Sequence, residues 1–99
     1  TPDSKEGTLL IASHIKPWKD SDNREKLDPN NGLLLSPNYD KLFDKYLISF
    51  DREGKIIISS DLNKYQLELL GINEDAKLRK INDEIIHYLK IHNKKMKNV

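Results

Sequence analysis

The chain contains no cysteine, and this absence limits what a sequence of 99 residues can fold into. A disulfide framework is excluded, and so is a zinc knuckle built from four cysteines, because both need thiol sulfur. The fold must be held by a hydrophobic core, for which a chain of this length is sufficient. Hydrophobic residues make up 36% and charged residues 33%, a balance typical of a globular domain. We expect a single domain spanning residues 1–99.

No signal for a membrane or for export is visible in the sequence. No apolar run approaches the roughly 20 residues that span a bilayer. Residues 1–7 lack the charged-then-apolar pattern of a signal peptide. The absence of thiols fits a cytoplasmic protein, which is the location we expect. Because the chain starts at Thr1 rather than at methionine, we expect it to be part of a longer protein.

The first half of the chain predicts two short strands around a long polar loop, followed by a helix. Residues 8–12 form an apolar run typical of a strand, and His14 lies at its end. Residues 16–31 are polar and charged, and ordered loops of about fifteen residues are usually functional. A second strand covers residues 33–35. A serine–proline pair then starts a helix at 37–45, since serine can cap a helix and proline suits its first position.

A β-hairpin is predicted next, from strands at 46–50 and 55–58 joined by a short loop with Gly54. Because strand side chains alternate between faces, we expect this hairpin to be an accessory that is only partly buried. The side chains concerned are Ile48, Phe50, Ile56 and Ile58.

Two helices should complete the chain, the first over residues 62–70 with Gly71 as its end, the second from near Leu78. The second shows an apolar stripe at spacings of three and four. Its members are Leu78, Ile81, Ile85, Tyr88, Leu89 and His92. We therefore expect an α+β fold with the order β, loop, β, α, ββ, α, α.

Charge is unevenly distributed along the chain. The net charge is only +1, but residues 76–99 contain seven Lys or Arg and two Asp or Glu. A cationic segment of this kind can follow a phosphate backbone. A solvated helix face with a frayed end explains the same residues equally well.

Asp40 and Asp44 lie four residues apart on the predicted helix, and therefore on one face. The two like charges repel, and a divalent cation between them would offset that cost. Carboxylate oxygens suit Mg²⁺ or Mn²⁺. Alternatively, Asp44 pairs with Lys41, Lys45 or a backbone group at the helix end.

His14 follows an apolar strand and enters a loop with basic residues, and a neutral imidazole in that setting can take a proton from water. The alternative is a histidine that simply completes local hydrogen bonds. His87 and His92 are expected to be packing or surface residues of the last helix.

Three ordered segments, residues 14–18, 31–35 and 42–44, resemble the signature of HNH endonucleases of the bacterial restriction-type branch. The nine-residue spacing from Asn31 to Asp40 resembles the family spacing between its asparagine and its final metal ligand. The resemblance covers about residues 8–70 and, more loosely, the last helix. It implies a ββα-metal core carrying an additional hairpin and C-terminal helices.

The resemblance also implies a metal-dependent endonuclease that hydrolyses DNA phosphodiester bonds with a histidine-activated water. His14 resembles the general base, and Asn31 the asparagine that holds the loop and orients that histidine. Asp40 stands where the family usually has its final histidine, a departure that favours Mg²⁺ or Mn²⁺ over Zn²⁺. Asp44 resembles a further helix position that supplies a ligand or an acceptor. Ser13 replaces the Asp or His of many relatives, so it is expected to be a weak ligand or to leave its place to water.

DNA is the partner that the resemblance implies, with 5′-phosphate and 3′-hydroxyl products. The candidate phosphate contacts, each of which could instead be merely solvated, are Lys16, Lys19, Arg24, Lys41 and Lys45. Trp18 is expected to pack on the loop rather than against a sugar. Sequence specificity should come from another domain of the parent protein, and a homodimer would also fit.

Two other functions stay open on the sequence. The runner-up is an HNH-like module that binds DNA without cutting it, which stays open because Ser13 and Asp40 depart from the family pattern. A structural interaction domain, with the basic last helix as its contact surface, is the third interpretation. Metal-dependent nicking of a plasmid would separate the first function from the other two.

A geometric expectation follows from these assignments. His14, Asn31 and Asp40 should converge, with the His14 ring facing Asp40 across a cleft wide enough for a phosphate. The strand at 33–35 should pair antiparallel with the one ending at His14, and the helix from Pro37 should cross both.

Overall fold

The structure, a computed structural model, describes residues 10–96, which form two small antiparallel sheets and four α-helices. The elements are β1 (Ile11–His14), a 3₁₀-helix (Trp18–Asp20), α1 (Asn23–Leu27), β2 (Gly32–Leu35), α2 (Pro37–Asp44), β3 (Ile48–Phe50), β4 (Ile56–Ile58), α3 (Lys64–Leu70) and α4 (Asp83–Asn93). This order confirms the predicted α+β class. Within this part of the chain, no helix is long and apolar enough to cross a membrane.

The first sheet consists of β1 and β2, paired antiparallel with Ile11 opposite Leu35 and His14 opposite Gly32. This confirms the predicted pairing. Leu35 is buried and Leu34 is exposed, as strand alternation requires. The first strand ends at His14 as predicted and begins at Ile11, whereas the predicted residues 8 and 9 lie outside the described residues.

Helix α2 begins at Pro37 as predicted and packs on both strands of the first sheet. Its buried face is formed by Tyr39, Leu42 and Phe43. Asp40 and Asp44 lie on a different side, toward β1. The helix ends one residue earlier than predicted, because the chain turns sharply at Tyr46, whose φ is +62°.

The prediction that residues 16–31 form an irregular loop is wrong. A 3₁₀-helix and α1 fold within this segment. Helix α1 starts with a capping box, in which the Asp22 side chain accepts from the Glu25 backbone and the Glu25 side chain accepts from the Asp22 backbone. An aspartate followed three residues later by a glutamate is a helix-start signal, so this element was visible in the sequence.

The second sheet pairs β3 with β4, with Ile48 opposite Ile58. The expected partial burial is correct for β4 but wrong for β3, where Ile48, Ser49 and Phe50 are fully buried. Both α2 and α4 contact β3, so this strand is covered on both faces and runs through the core. The hairpin is therefore central to the fold rather than an accessory.

The last two helices start later than predicted. Helix α3 begins after Asn63, whose side chain accepts from the Gln66 backbone, and ends at the left-handed Gly71 as expected. Helix α4 begins after Asn82, not near Leu78. Leu78 belongs to an extended segment that covers the hairpin. Its backbone N–H donates to the carbonyl of Gly54 at 2.8 Å.

Candidate functional site

A cleft of about 400 Å³ lies between the end of β1 and one side of α2. Ser13 and His14 line it from β1, and Asp40 and Asp44 line it from α2. The antiparallel pairing of β1 with β2 and the packing of α2 across them bring these side chains together. Four residues that the sequence analysis selected therefore share one cavity.

His14 is exposed at the cleft, and its contacts are few. Within residues 10–96 its imidazole makes no hydrogen bond, and its ring lies against the indole of Trp18. The two ring centroids are 5.4 Å apart, and the planes meet at 76° in an edge-to-face arrangement. The packing restricts the imidazole, and because its nitrogens have no hydrogen-bond partner within residues 10–96, they can bind water and accept a proton.

Asp40 is half-buried and accepts a hydrogen bond from the Ser13 hydroxyl through Oδ1. Among the described residues, Oδ2 of Asp40 accepts no hydrogen bond. The serine therefore fixes the orientation of the carboxylate and leaves its second oxygen open. Ser13 itself is buried, with 7% of its surface exposed, so its hydroxyl points inward to this contact.

Asp44 is the last residue of α2 and is exposed at the cleft one turn after Asp40. Within the described part of the chain it makes no ion pair with Lys41 or Lys45, so the alternative pairing with these lysines is absent there. In the same part, no three His, Cys, Asp or Glu side chains cluster closely enough to hold a metal ion. The oxygen donors of Ser13 and Asp40 would suit a hydrated cation with few protein ligands, as is common for Mg²⁺.

Asn31 does not line this cleft, and only 1% of its surface is exposed; it lines a separate cavity together with Ser13 and His14. Its Oδ1 accepts from the backbone N–H of Lys16 at 2.7 Å, and its Nδ2 donates to the carbonyl of Glu25 at 3.1 Å. Asn31 makes no hydrogen bond to the imidazole of His14. It holds instead the backbone two residues after His14 and ties that backbone to α1.

None of the predicted basic contacts lines the cleft. Lys16 pairs with both oxygens of Glu25 at 2.9 Å, and this hydrogen bond lowers the pKa of the Glu25 carboxyl. Arg24 lines a separate cavity that it shares with acidic side chains. The remaining three candidates, Lys19, Lys41 and Lys45, are exposed and make no ion pair within residues 10–96.

The loop that follows β1 is also held from α4. The Tyr88 hydroxyl donates to Oδ2 of Asp28 at 2.7 Å. This hydrogen bond lowers the pKa of the Asp28 carboxyl, while burial raises the pKa of Tyr88 to about 12. Asn82 donates to the side chain of Asn30 at 3.1 Å. The segment carrying Asn31 is thus anchored at the start and in the middle of α4.

Two residues of the cleft were missed by sequence reasoning as site residues. The first is His92, which was correctly expected to be a packing residue but was not expected to line the cleft. Its ring stacks on Phe43 at 3.9 Å, and its Nε2 lies 2.8 Å from the Phe43 carbonyl. Burial lowers the pKa of His92, which favours the neutral ring. Tyr46 is the second missed residue, and its unusual backbone gives no recognisable signal in a single sequence.

Comparison with known families matches residues 2–51, which are 50 of the 99 residues, to a family model described as HNH endonuclease. The matched segment runs through β1, β2, α2 and β3, and it includes every site residue that the sequence analysis selected. A comparison with curated proteins finds no match.

Proposed function

This chain belongs to the HNH endonuclease family, and we propose that it hydrolyses DNA phosphodiester bonds with a water molecule activated by His14, in the presence of a divalent cation. The observation that carries this proposal is the cleft that both His14, which is exposed, and Asp40 line. A base and a cation-binding carboxylate are the two groups that this hydrolysis needs.

His14 acts as the general base in the proposed reaction. Its neutral imidazole takes a proton from water as the water oxygen attacks phosphorus. The bond from phosphorus to the 3′-oxygen breaks, and that oxygen takes a proton from solvent. The products are a 5′-phosphate and a 3′-hydroxyl. The exposure of His14 supports this role, as does the absence of a hydrogen-bond partner for its ring nitrogens among the residues that the structure describes.

Asp40 is the residue we propose to hold Mg²⁺ or Mn²⁺, together with Ser13 and with Asp44 nearby. A cation held by these residues would neutralise charge on the phosphate and on the departing oxygen. The open Oδ2 of Asp40 and the adjacent Ser13 hydroxyl support this assignment. Mg²⁺ commonly uses one or two carboxylates together with water and substrate phosphates, so a small protein donor set is sufficient.

Asn31 and Trp18 are proposed to position His14 rather than to react. Asn31 fixes the backbone after the histidine, and Trp18 limits the rotation of its ring. Lys19, Lys41 and Lys45 are the best candidates for phosphate contacts, since they are exposed and make no ion pair within residues 10–96. Lys16 is partly neutralised by Glu25.

Plasmid nicking tests the proposal directly. The wild type should nick supercoiled DNA with Mg²⁺ or Mn²⁺ and should stop with a chelator. His14→Ala should lower the rate by roughly 10²–10⁴, the usual effect of losing a general base. His87→Ala is the matched control, because this histidine is exposed on α4 outside the cleft and should leave the rate unchanged. Equal rates for wild type and His14→Ala would refute the mechanism.

The metal assignment is tested by varying the cation concentration. Asp40→Ala should raise the Mn²⁺ concentration needed for half-maximal rate, and some activity should return in excess Mn²⁺. His14→Ala should not recover under the same conditions. If excess metal rescues His14→Ala and not Asp40→Ala, the roles of base and ligand are exchanged.

A second candidate is a module that binds DNA without cutting it. It is favoured by Ser13, which supplies no carboxylate or imidazole, and by the lack of a three-ligand cluster within the described residues. Salt-dependent binding to a duplex without nicking in any metal would select it. No binding at all would favour an interaction domain.

The activity would suit the cleavage domain of a restriction-type enzyme in the cytoplasm. A site this small would contact the DNA backbone rather than the base edges, so sequence recognition would come from another domain or from a second copy of the chain.

A further inference from the structure

Tyr46 adopts a backbone conformation that side chains rarely accept. Its φ is +62°, and within residues 10–96 it is the one residue other than glycine with a positive φ. It follows the end of α2, where its N–H donates to the Phe43 carbonyl at 3.1 Å and the Leu47 N–H donates to the Leu42 carbonyl at 2.9 Å. This pair of hydrogen bonds is the Schellman helix end, whose left-handed position normally holds glycine. An aromatic residue there is strained.

Several contacts keep the side chain in place. The ring lies 4.7 Å from the ring of His92, and the Nζ of Lys95 is 5.8 Å from its centre. The side chain is half-buried and lines the same cleft as Asp40 and Asp44. Its hydroxyl makes no hydrogen bond within residues 10–96. The cleft is therefore lined by a strained residue whose hydroxyl has no partner within residues 10–96.

The charges in the cleft indicate what this hydroxyl can bind. Two carboxylates line the α2 side, and each repels a phosphate. Both ring nitrogens of His92 already have partners in Ser49 and Phe43. On this side of the cleft, Tyr46 is the lining side chain whose hydrogen-bond donor has no partner within the described residues. A phenol is neutral and can donate to an anionic oxygen without adding another negative charge.

We propose that Tyr46 is a substrate-contacting residue whose hydroxyl donates a hydrogen bond to a phosphate oxygen of the DNA strand in the cleft. This inference rests on the proposed function, because it assigns DNA to the same cleft. It adds a donor that neither the family match nor the sequence pattern identified. The alternative is that Tyr46 only packs α4 against the end of α2.

Two variants separate these roles. Tyr46→Phe keeps the ring, the strain and the contact with His92, and it removes only the hydroxyl. Tyr46→Gly removes the side chain and places glycine where the backbone favours it. Tyr65→Phe is the matched control, because Tyr65 is 69% exposed on α3 and lies outside the cleft.

Binding and cleavage are both measured, so that this inference can fail separately from the nuclease proposal. The binding probe is a short fluorescent DNA duplex in chelator, and the cleavage probe is a plasmid in Mg²⁺. Tyr46→Phe should bind the duplex roughly ten-fold more weakly or worse, the usual loss for a hydrogen bond to a charged group. Its KM should rise more than its kcat falls, and its Tm should equal that of the wild type. Tyr46→Gly should lose the same affinity without a lower Tm.

Each outcome has a defined meaning. Tyr46→Phe binding and cutting like the wild type and like Tyr65→Phe would overturn the inference. A Tyr46→Gly variant that loses affinity only in proportion to a lower Tm would assign Tyr46 to packing and also overturn it. If the wild type binds the duplex but cuts nothing, while Tyr46→Phe binds it more weakly, the nuclease proposal fails and the contact stands. If the wild type does not bind DNA, both fail.

Discussion

Replacing Asn31 with alanine should destabilise the domain strongly, and the structure allows the size of the effect to be worked out. The side chain is almost fully buried and makes two well-formed hydrogen bonds, to the Lys16 N–H and the Glu25 carbonyl. Two longer ones reach the Lys16 carbonyl and the Ser21 hydroxyl. Losing the two shorter bonds costs about 1 kcal/mol each, and an unpaired Lys16 N–H adds about 1–2 kcal/mol.

The expected loss in free energy of unfolding is therefore about 3–4 kcal/mol, a large share of the roughly 5–15 kcal/mol that domains possess. Urea unfolding at constant m measures it, and the melting temperature should fall by roughly 12 °C or more. Asn38→Ala is the matched control, because Asn38 is exposed and its side chain makes one hydrogen bond within the described part of the chain, to the Leu70 carbonyl. It should cost about 1 kcal/mol or less. Equal urea midpoints for the two variants would refute the reasoning.

A second substitution tests which half of the amide matters. Asn31→Asp keeps an oxygen that can accept from the Lys16 N–H, but it faces the Glu25 carbonyl with an acceptor instead of a donor. It should therefore not restore wild-type stability. Cleavage by folded Asn31→Ala should still be slower than wild type, because the backbone after His14 is released. If Asn31→Ala cleaves DNA at the wild-type rate at a temperature where it is folded, Asn31 contributes to stability and not to catalysis.

Three further perturbations give distinct signatures. Trp18→Ala should misplace the His14 ring and thereby slow single-turnover cleavage by up to about 10²-fold, whereas Trp18→Phe should retain most of the rate. If the NMR chemical shifts of the His14 ring protons are the same in Trp18→Ala as in the wild type, the proposed contact between the two rings is wrong. Because burial lowers the pKa of His92, the unfolded chain binds a proton that the folded chain does not, and stability should fall as the pH drops below about 6.5. Urea unfolding across pH should show that slope weakened in His92→Phe and kept in His87→Phe. Gly54→Ala should cost about 1–2 kcal/mol, because φ is +83° and the added Cβ would lie 3.3 Å from a neighbouring side-chain carbon; an unchanged urea midpoint would argue against it.

The parts of the fold that follow from local chemistry were predicted well. Pro37 at the start of α2 and Gly71 at the end of α3 lie where their backbone preferences place them. The start of α4 was predicted wrongly because apolar periodicity cannot separate a helix from an extended segment that packs on the same core. Leu78 fits the stripe in sequence but belongs to the segment beside Gly54. Asn82, which caps α4, was the better local signal.

Some residues of the candidate site could likewise be predicted from the sequence, and others could not. Ser13, His14 and Asp40 could be selected from residue type, spacing and resemblance, and they line one cleft. Tyr46 could not be selected, because its left-handed backbone exists only when the turn after α2 closes. The burial of β3 was equally invisible, since it depends on α4 arriving from a distant part of the sequence.

The C-terminal part of the chain, outside the family match, holds the proposed catalytic groups in position without supplying any of them. Its His92 meets the last turn of α2 at the Phe43 carbonyl, and its Asn93 donates to the Phe50 carbonyl at 3.1 Å. Its Tyr88 ties down Asp28 in the segment before β2. Both sides of the cleft are therefore braced by one helix. A substitution that destabilises the packing of α4 should change the distance between His14 and Asp40, although it replaces neither residue. The segment that matches the family is therefore expected to need α4 for activity.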